Sequence, residues 1–247
     1  MEGQLMFFFL RLLLAHLLGD FLFQTNGIFR LKVKYNWGVL LHGSIVGFVA
    51  GIFSLPYLQH PIVVSFLVIS WVFHIFQDKA KIIINLQVER NNLWTFLFDQ
   101  LLHIGVYALI AFSTVSFEPG IFPVFSEALD PIYKSDKIII FAVWTLVLTY
   151  CMFVLQEYIK KIVRGDKKEG VAFPGLGLKY YGITARTVIG ISFWAGGSID
   201  PLWYVLSAGG AALGFYLVKT GRVKKLDYQI STIAAVVIGA LMQLTVK

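Results

Sequence analysis

The sequence predicts an all-α fold, a polytopic transmembrane bundle of about eight helices. Three observations point there. The 247 residues are 57% hydrophobic and only 14% charged, where a soluble domain is about a quarter charged. Their mean hydropathy is +0.74. Apolar runs also recur at a length that crosses a ~30 Å hydrocarbon core, which takes about 20 helical residues.

The spans read as roughly 5–25, 37–55, 61–84, 93–115, 137–160, 182–196, 201–218 and 227–246. The first contains "LLLAHLLGDFLFQ" at 12–24. It lacks a basic leading region and a small-residue cleavage site, and it carries His16 and Asp20, so it is expected to stay in the membrane rather than be removed. The second span carries His42, the third "HIFQDKAK" at 74–81, and the fourth "DQLLH" at 99–103. The fifth holds Cys151, the single cysteine. It excludes an internal disulfide and reads as a small buried hydrophobe. The sixth span is short and flanked by glycine, so a tilted, broken or re-entrant segment is open there.

Loop charge supports the order. The connections at 26–36 (Arg30, Lys32, Lys34), 79–92 (Lys79, Lys81, Arg90), 157–181 (Lys160, Lys161, Arg164, Lys167, Lys168, Lys179) and 219–226 (Lys219, Arg222, Lys224, Lys225) are basic. Those at 56–60, 116–136 and 197–200 are neutral or acidic, with Glu118, Glu127, Asp130 and Asp200. This alternation follows the positive-inside bias and predicts both termini on the non-cytoplasmic side. The net charge of +7 is thereby explained by membrane orientation, and no nucleic-acid partner is expected. The chain divides into a His/Asp-bearing four-helix region, 1–115, and a second region of about four helices, 116–247, expected to pack with the first as one bundle. Its weakest junction is the Gly-rich, charged stretch 164–182.

Four of the five histidines (His16, His42, His74, His103) and three aspartates (Asp20, Asp78, Asp99) fall within the first four spans. Residues i and i+4 share one helix face, so His16/Asp20, His74/Asp78 and Asp99/His103 can each aim two ligands at one point. Counted inward at 1.5 Å per residue, Asp20, His42, His74 and Asp99 lie roughly 8–10 Å below the cytoplasmic helix ends, with His16 and His103 about 15 Å deep. Asp78 is shallower. Imidazole with carboxylate suits zinc, manganese or iron, and seven candidate ligands suit one or two divalent ions. Any one of these residues alone reads as an interhelical hydrogen-bonding group. The shared spacing and depth argue for a common site.

Gln24 and Gln100 are placed to orient ligands. Arg186, one turn inside the sixth span, and Lys79, next to Asp78, are candidates to meet an anionic substrate, Arg186 by bidentate contact. Lys79 and Arg222 also read as membrane-edge anchors. Arg11 lies within the first span without a sequence-level explanation, and His60, in a non-cytoplasmic loop, is excluded. "GDKKEG" is a solvated loop, and no phosphate-binding Gly-rich loop or nucleophile elbow occurs.

At these residues the chain resembles a family of bacterial integral membrane proteins of unknown function. The resemblance rests on "AHLLGDFLFQ" at 15–24, His42, "HIFQDKAK" (HxxxDxxK) and "DQLLH" (DQxxH), in that order. It covers roughly residues 10–105 and is weaker beyond, where "YYGITARTVIG" and "YQISTIAAVVIG" are similar to the family's later helices. Some relatives carry a Glu-Arg pair where this chain has Ala185-Arg186. The family is distantly similar to membrane-bound metal-dependent hydrolases of the zinc phospholipase C type. By analogy that likeness implies a bacterial inner-membrane protein with a metal-dependent hydrolase activity, and from the residues the expected substrate is a phosphate or ester of a lipid, with Asp78 and Asp99 as the candidate catalytic residues. Two other classes stay open. A divalent-cation or proton-coupled transporter also uses intramembrane His and Asp, though here they gather on one side. A non-catalytic partner protein would use the metal only to tie helices together.

Overall fold

A computed structural model of the chain describes residues 2–87, 93–117, 129–164 and 176–246. Arg90, Glu118, Glu127, Lys167, Lys168 and most of the Gly-rich stretch at 164–182 lie outside the described residues. Those described are helical and form two compact units, Met1–Ile139 and Ile140–Lys247. The expected division was at 115/116; residues 116–117 and 129–139, the described ones that follow, lie with the first unit.

In the first unit, α1 (Glu2–Leu17) runs into a π-helical turn, Leu18–Leu22. A short helix α2 (Asn26–Lys34) follows, then α3 (Asn36–Phe53), α4 (Pro61–Gln87), α5 (Leu93–Ser113) and α6 (Asp130–Lys134). Helices α1, α3, α4 and α5 close into a ring, with α1 against α3 and α5, and α4 against the same two. One half of its interior is apolar, built on Phe8, Leu12, Ala15, Val49, Tyr107 and Ile110. The other half holds the histidines and aspartates. Outward-facing Phe48, Phe76, Leu101, Leu109 and Phe112 are 67% to 70% exposed, as a lipid-facing surface requires.

Helix α2 replaces the loop expected at 26–36. Thr25 caps it by accepting a 3.3 Å hydrogen bond from the Ile28 amide, which satisfies an otherwise unpaired N-terminal donor. The chain then folds back on α3 at Gly38. A Cβ there would sit 2.1 Å from the Leu31 carbonyl oxygen, so only glycine lets α2 lie backbone to backbone on α3.

Arg11 is buried and cross-links the unit. Its Nε donates to the Tyr133 carbonyl at 3.0 Å and its Nη1 to the Phe7 carbonyl at 2.9 Å, with Nη1 also on Asp136. Tyr133 Oη in turn donates to the Phe53 carbonyl at 2.8 Å. The guanidinium therefore ties α1 to α6 and to the end of α3.

The second unit comprises most of α7 (Asp136–Leu146), a π turn at Val147–Cys151, α8 (Met152–Arg164), α9 (Leu176–Ser198), α10 (Trp203–Lys219) and α11 (Lys225–Thr245). Helix α9 packs on α10 and α11 around Leu148, Ile189, Ala235, Ile238 and Met242. It is a continuous helix, not a broken one. Among the described residues, six helical stretches are long and apolar enough to cross a membrane: Gln4–Leu22, Asn36–Phe53, Pro61–Asn85, Leu93–Ser113, Asp136–Arg164 and Lys225–Thr245. The chain is an all-α integral membrane protein. Eight spans were expected; α9, whose sequence includes Lys179, Arg186 and five glycines, and α10, at 17 residues, are not among the six.

The contact at Gly38 sets a test. Gly38→Ala is expected to cost about 3 kcal/mol, the upper end of overpacking penalties, and to lower the melting temperature in detergent. Gly27→Ala, whose Cβ would meet only Thr25 Oγ1 at an ordinary 3.7 Å, should instead stabilise α2 by about 0.5–1 kcal/mol. Equal effects at the two glycines would contradict the close α2–α3 approach.

Candidate metal centre

The seven residues singled out by spacing converge in the first unit, and all are buried. The π turn carries Asp20, and the extra residue in that turn swings its carboxylate across the bundle. Such turns recur at functional positions in helices. Asp20 Oδ1 lies 3.1 Å from His42 Nε2 and 3.4 Å from His74 Nε2. Asp78 Oδ2 lies 3.4 Å and 3.3 Å from the same two nitrogens, which are 3.5 Å apart. Two ligand atoms at a tetrahedral angle on an ion with bonds of about 2.0 Å, as for zinc, are about 3.3 Å apart. These donors fit such an ion.

His103 Nε2 is 3.5 Å from Asp99 Oδ1, and His16 Nε2 is 3.8 Å from Asp20 Oδ2. The rings of His74 and His103 stack with centroids 4.2 Å apart, and His16 sits 5.1 Å from His103. Three groups whose ligand atoms lie within 4.8 Å of one another emerge among the described residues: His16/Asp20/His74, His42/His74/Asp78 and Asp78/Asp99/His103. Each shares a residue with the next. His103 Nε2 is buried with no hydrogen-bond partner in the structure, a donor set left incomplete by the protein alone.

Gln100 links the groups. Its Nε2 donates to Asp99 Oδ2 at 3.2 Å while its Oε1 faces His16 Nε2 at 3.2 Å. Gln24 lies one step further out, accepting from Lys32 Nζ at 3.1 Å.

Two cations that spacing did not single out complete the cluster. Lys32 Nζ is 2.7 Å from Asp78 Oδ2, with its side chain only 9% exposed. Lys81 Nζ is 2.6 Å from Asp99 Oδ2. Lys32 was read as part of a basic loop, and helix α2 buries it instead. Lys81 lay in plain view as the last residue of HxxxDxxK, three residues after Asp78 and on a helix that continues to Gln87. Lys79, the neighbour chosen from sequence, pairs with the Asn36 side chain outside the cluster. His60 packs on Phe117, also away from it.

Arg186 belongs to the second unit and is wholly buried. Its Nε donates to the Leu148 carbonyl at 2.8 Å and its Nη2 to the Thr149 carbonyl at 3.0 Å, both in the π turn. Its Nη1 donates to Gln156 Oε1 at 2.7 Å and to Ser231 Oγ at 3.3 Å. Nearby, Lys160 Nζ bridges Glu157 at 2.6 Å and Asp227 at 2.9 Å. Two cations thus balance two carboxylates within that unit. In the first unit, Asp20, Asp78 and Asp99 face Lys32 and Lys81, with histidines that are neutral when they act as ligands. With the imidazoles neutral, the carboxylates outnumber the lysines by one.

Residues 8–128 match a family described as "Protein of unknown function (DUF3307)". The matched segment holds all seven ligand candidates together with Lys32 and Lys81, and it excludes Arg186. No curated protein and no solved structure matches the chain.

The Arg186 network makes its own prediction. Arg186→Gln strips the π-turn carbonyls of their donor and leaves two carboxylates facing one lysine, a loss of about 3–5 kcal/mol for a buried charge network. Its melting temperature should fall far below that of Lys79→Gln, where about 1 kcal/mol or less is at stake. Comparable unfolding curves for the two variants would remove Arg186 from the structural role.

Proposed function

We propose that this protein is a membrane-embedded, metal-dependent hydrolase acting on a phosphate or other ester of a lipid at the cytoplasmic face of a bacterial inner membrane. The observation that carries the reading is the series of three linked donor groups. Each offers three protein ligands, the number that leaves a fourth position for water or substrate in catalytic zinc sites. Zinc suits the mixture of imidazole and carboxylate, and manganese or iron use the same donors. The basic loops favour the cytoplasmic side. A lipid substrate is supported by an apolar cleft of about 880 Å³ lined by Leu5, Phe9, Phe73, Leu102, Val106 and Phe112. Phe73 and Leu102 directly precede His74 and His103.

When bound, a divalent ion supplies positive charge that acidifies water and offsets charge on the ester oxygens. The chain supplies the rest. His42, His74 and Asp78 would hold the ion, with His16, Asp20 and His103 available to a second. Asp99, between His103 and Lys81, accepts the proton from the attacking water; Gln100 fixes its carboxylate. The water oxygen bonds to the ester centre as the bond from that centre to the alcohol oxygen breaks, and the departing alcohol takes the proton that Asp99 accepted. Arg186, expected from sequence to meet the substrate, has its donors engaged within the second unit.

A second reading is favoured by one observation. The ligands come from all four ring helices, so a bound ion would also tie α1, α3, α4 and α5 together without catalysis.

Purified protein reconstituted with phosphatidic acid should release phosphate in a zinc- or manganese-dependent manner. Chelation should abolish that release. Asp78→Asn and Asp99→Asn should reduce both metal content and phosphate release to the level of the chelated protein, while the helical content persists. Variants that keep their metal and lose only stability would favour the staple. Full activity after chelation would overturn the hydrolase reading.

A further inference from the structure

The oxygen of Asp78 that faces both imidazoles is also the one that holds Lys32. Asp78 Oδ2 is 3.4 Å from His42 Nε2, 3.3 Å from His74 Nε2 and 2.7 Å from Lys32 Nζ. A divalent ion among these donors would draw on the same lone pairs that the lysine ammonium uses, and the two cations repel. Lys32 cannot retreat with its helix, because α2 is seated on α3 through the Leu31–Gly38 backbone contact, one residue from Lys32. Only its four-carbon stem can move, which shifts the ammonium about the site and leaves it there.

Charge balance then changes sign. Three carboxylates against two lysines give a cluster of net −1, and one divalent ion makes it +1. A buried net charge in a membrane-spanning bundle draws a counter-charge. We infer that Lys32 is an anion-binding residue: it neutralises Asp78 before metal arrives and afterwards holds a phosphate group beside the ion. Lys81, whose side chain is 22% exposed, is the most open member of the cluster. The inference rests on the metal reading above and specifies its substrate as a phosphate, whether free or on a lipid headgroup.

Two linked equilibria test it on the full-length protein in lipid nanodiscs. Zinc affinity is measured by competition with a chelator, first alone and then with inorganic phosphate, or in nanodiscs carrying phosphatidic acid instead of phosphatidylcholine alone. In the wild type, phosphate should tighten zinc binding by at least about fivefold, the lower range for coupled sites. Lys32→Met, which keeps the stem and removes the charge, should bind zinc more tightly in the absence of phosphate and lose the coupling. Lys32→Arg should retain the coupling, which also guards against a Met variant that fails to fold. Coupling to phosphatidic acid alone identifies a lipid headgroup, and coupling to inorganic phosphate as well identifies a general phosphate site. A wild type that binds no zinc refutes the metal reading itself. Zinc binding without phosphate coupling, or coupling that survives in a folded Lys32→Met, overturns the role of Lys32 and leaves the metal reading standing.

Discussion

Three buried carboxylates with two lysines to meet them form the constraint on which the first unit is built. A charge in a membrane-spanning bundle is tolerated only where partners surround it. Asp20, Asp78 and Asp99 are 6%, 1% and 4% exposed, so each needs its counterpart delivered by a neighbouring element. The π turn exists at the point where Asp20 must reach the imidazoles of α3 and α4. Helix α2 and the bare backbone of Gly38 exist where a lysine must reach Asp78. The continuation of α4 to Gln87 keeps Lys81 on a helical turn that meets Asp99. Local departures from a plain helical bundle thus fall where the charges require them.

The second unit solves the same problem to a different end. Its π turn also exposes carbonyls, and Arg186 answers them from α9 with its remaining donors on Gln156 and Ser231. Lys160 then balances Glu157 and Asp227. Among the described residues two cations face two carboxylates there, and the network holds helices together. In the first unit the carboxylates outnumber the lysines by one, and that difference in charge, more than burial, sets the two clusters apart.

The legible part of the molecule was the part written in helical period. Spacing of four between His16 and Asp20, His74 and Asp78, and Asp99 and His103 puts each pair on one face whatever surrounds it, so the convergence of seven residues could be read without coordinates. The long apolar runs announced their helices for the same reason, though α9 and α10 do not reach the apolar length that eight spans required. Lys32 was hidden because "NGIFRLKVK" is short, polar on average and basic, and such segments normally sit at the membrane edge as anchors. Its one local signal was Thr25, a capping residue ahead of a glycine. Arg11 and Arg186 were illegible for another reason. Beside side-chain partners distant in sequence, they hold the backbone carbonyls of Tyr133, Phe7, Leu148 and Thr149, and main-chain acceptors leave no trace in side-chain identity.

The same distinction explains why the two arginines and the two lysines differ in what they can do. A guanidinium spreads its donors over several fixed acceptors, and Arg186 uses three nitrogens on four oxygens. Moving it would orphan all of them at once. An ammonium is a compact charge on a flexible stem, and Lys32 commits it to one carboxylate oxygen and one amide oxygen. Exchange of one strong partner for another is therefore cheap for the lysine and prohibitive for the arginine. The difference lies in how many fixed acceptors each cation holds: Arg186 is locked by four, and Lys32 is held by two side-chain oxygens on a stem that can swing.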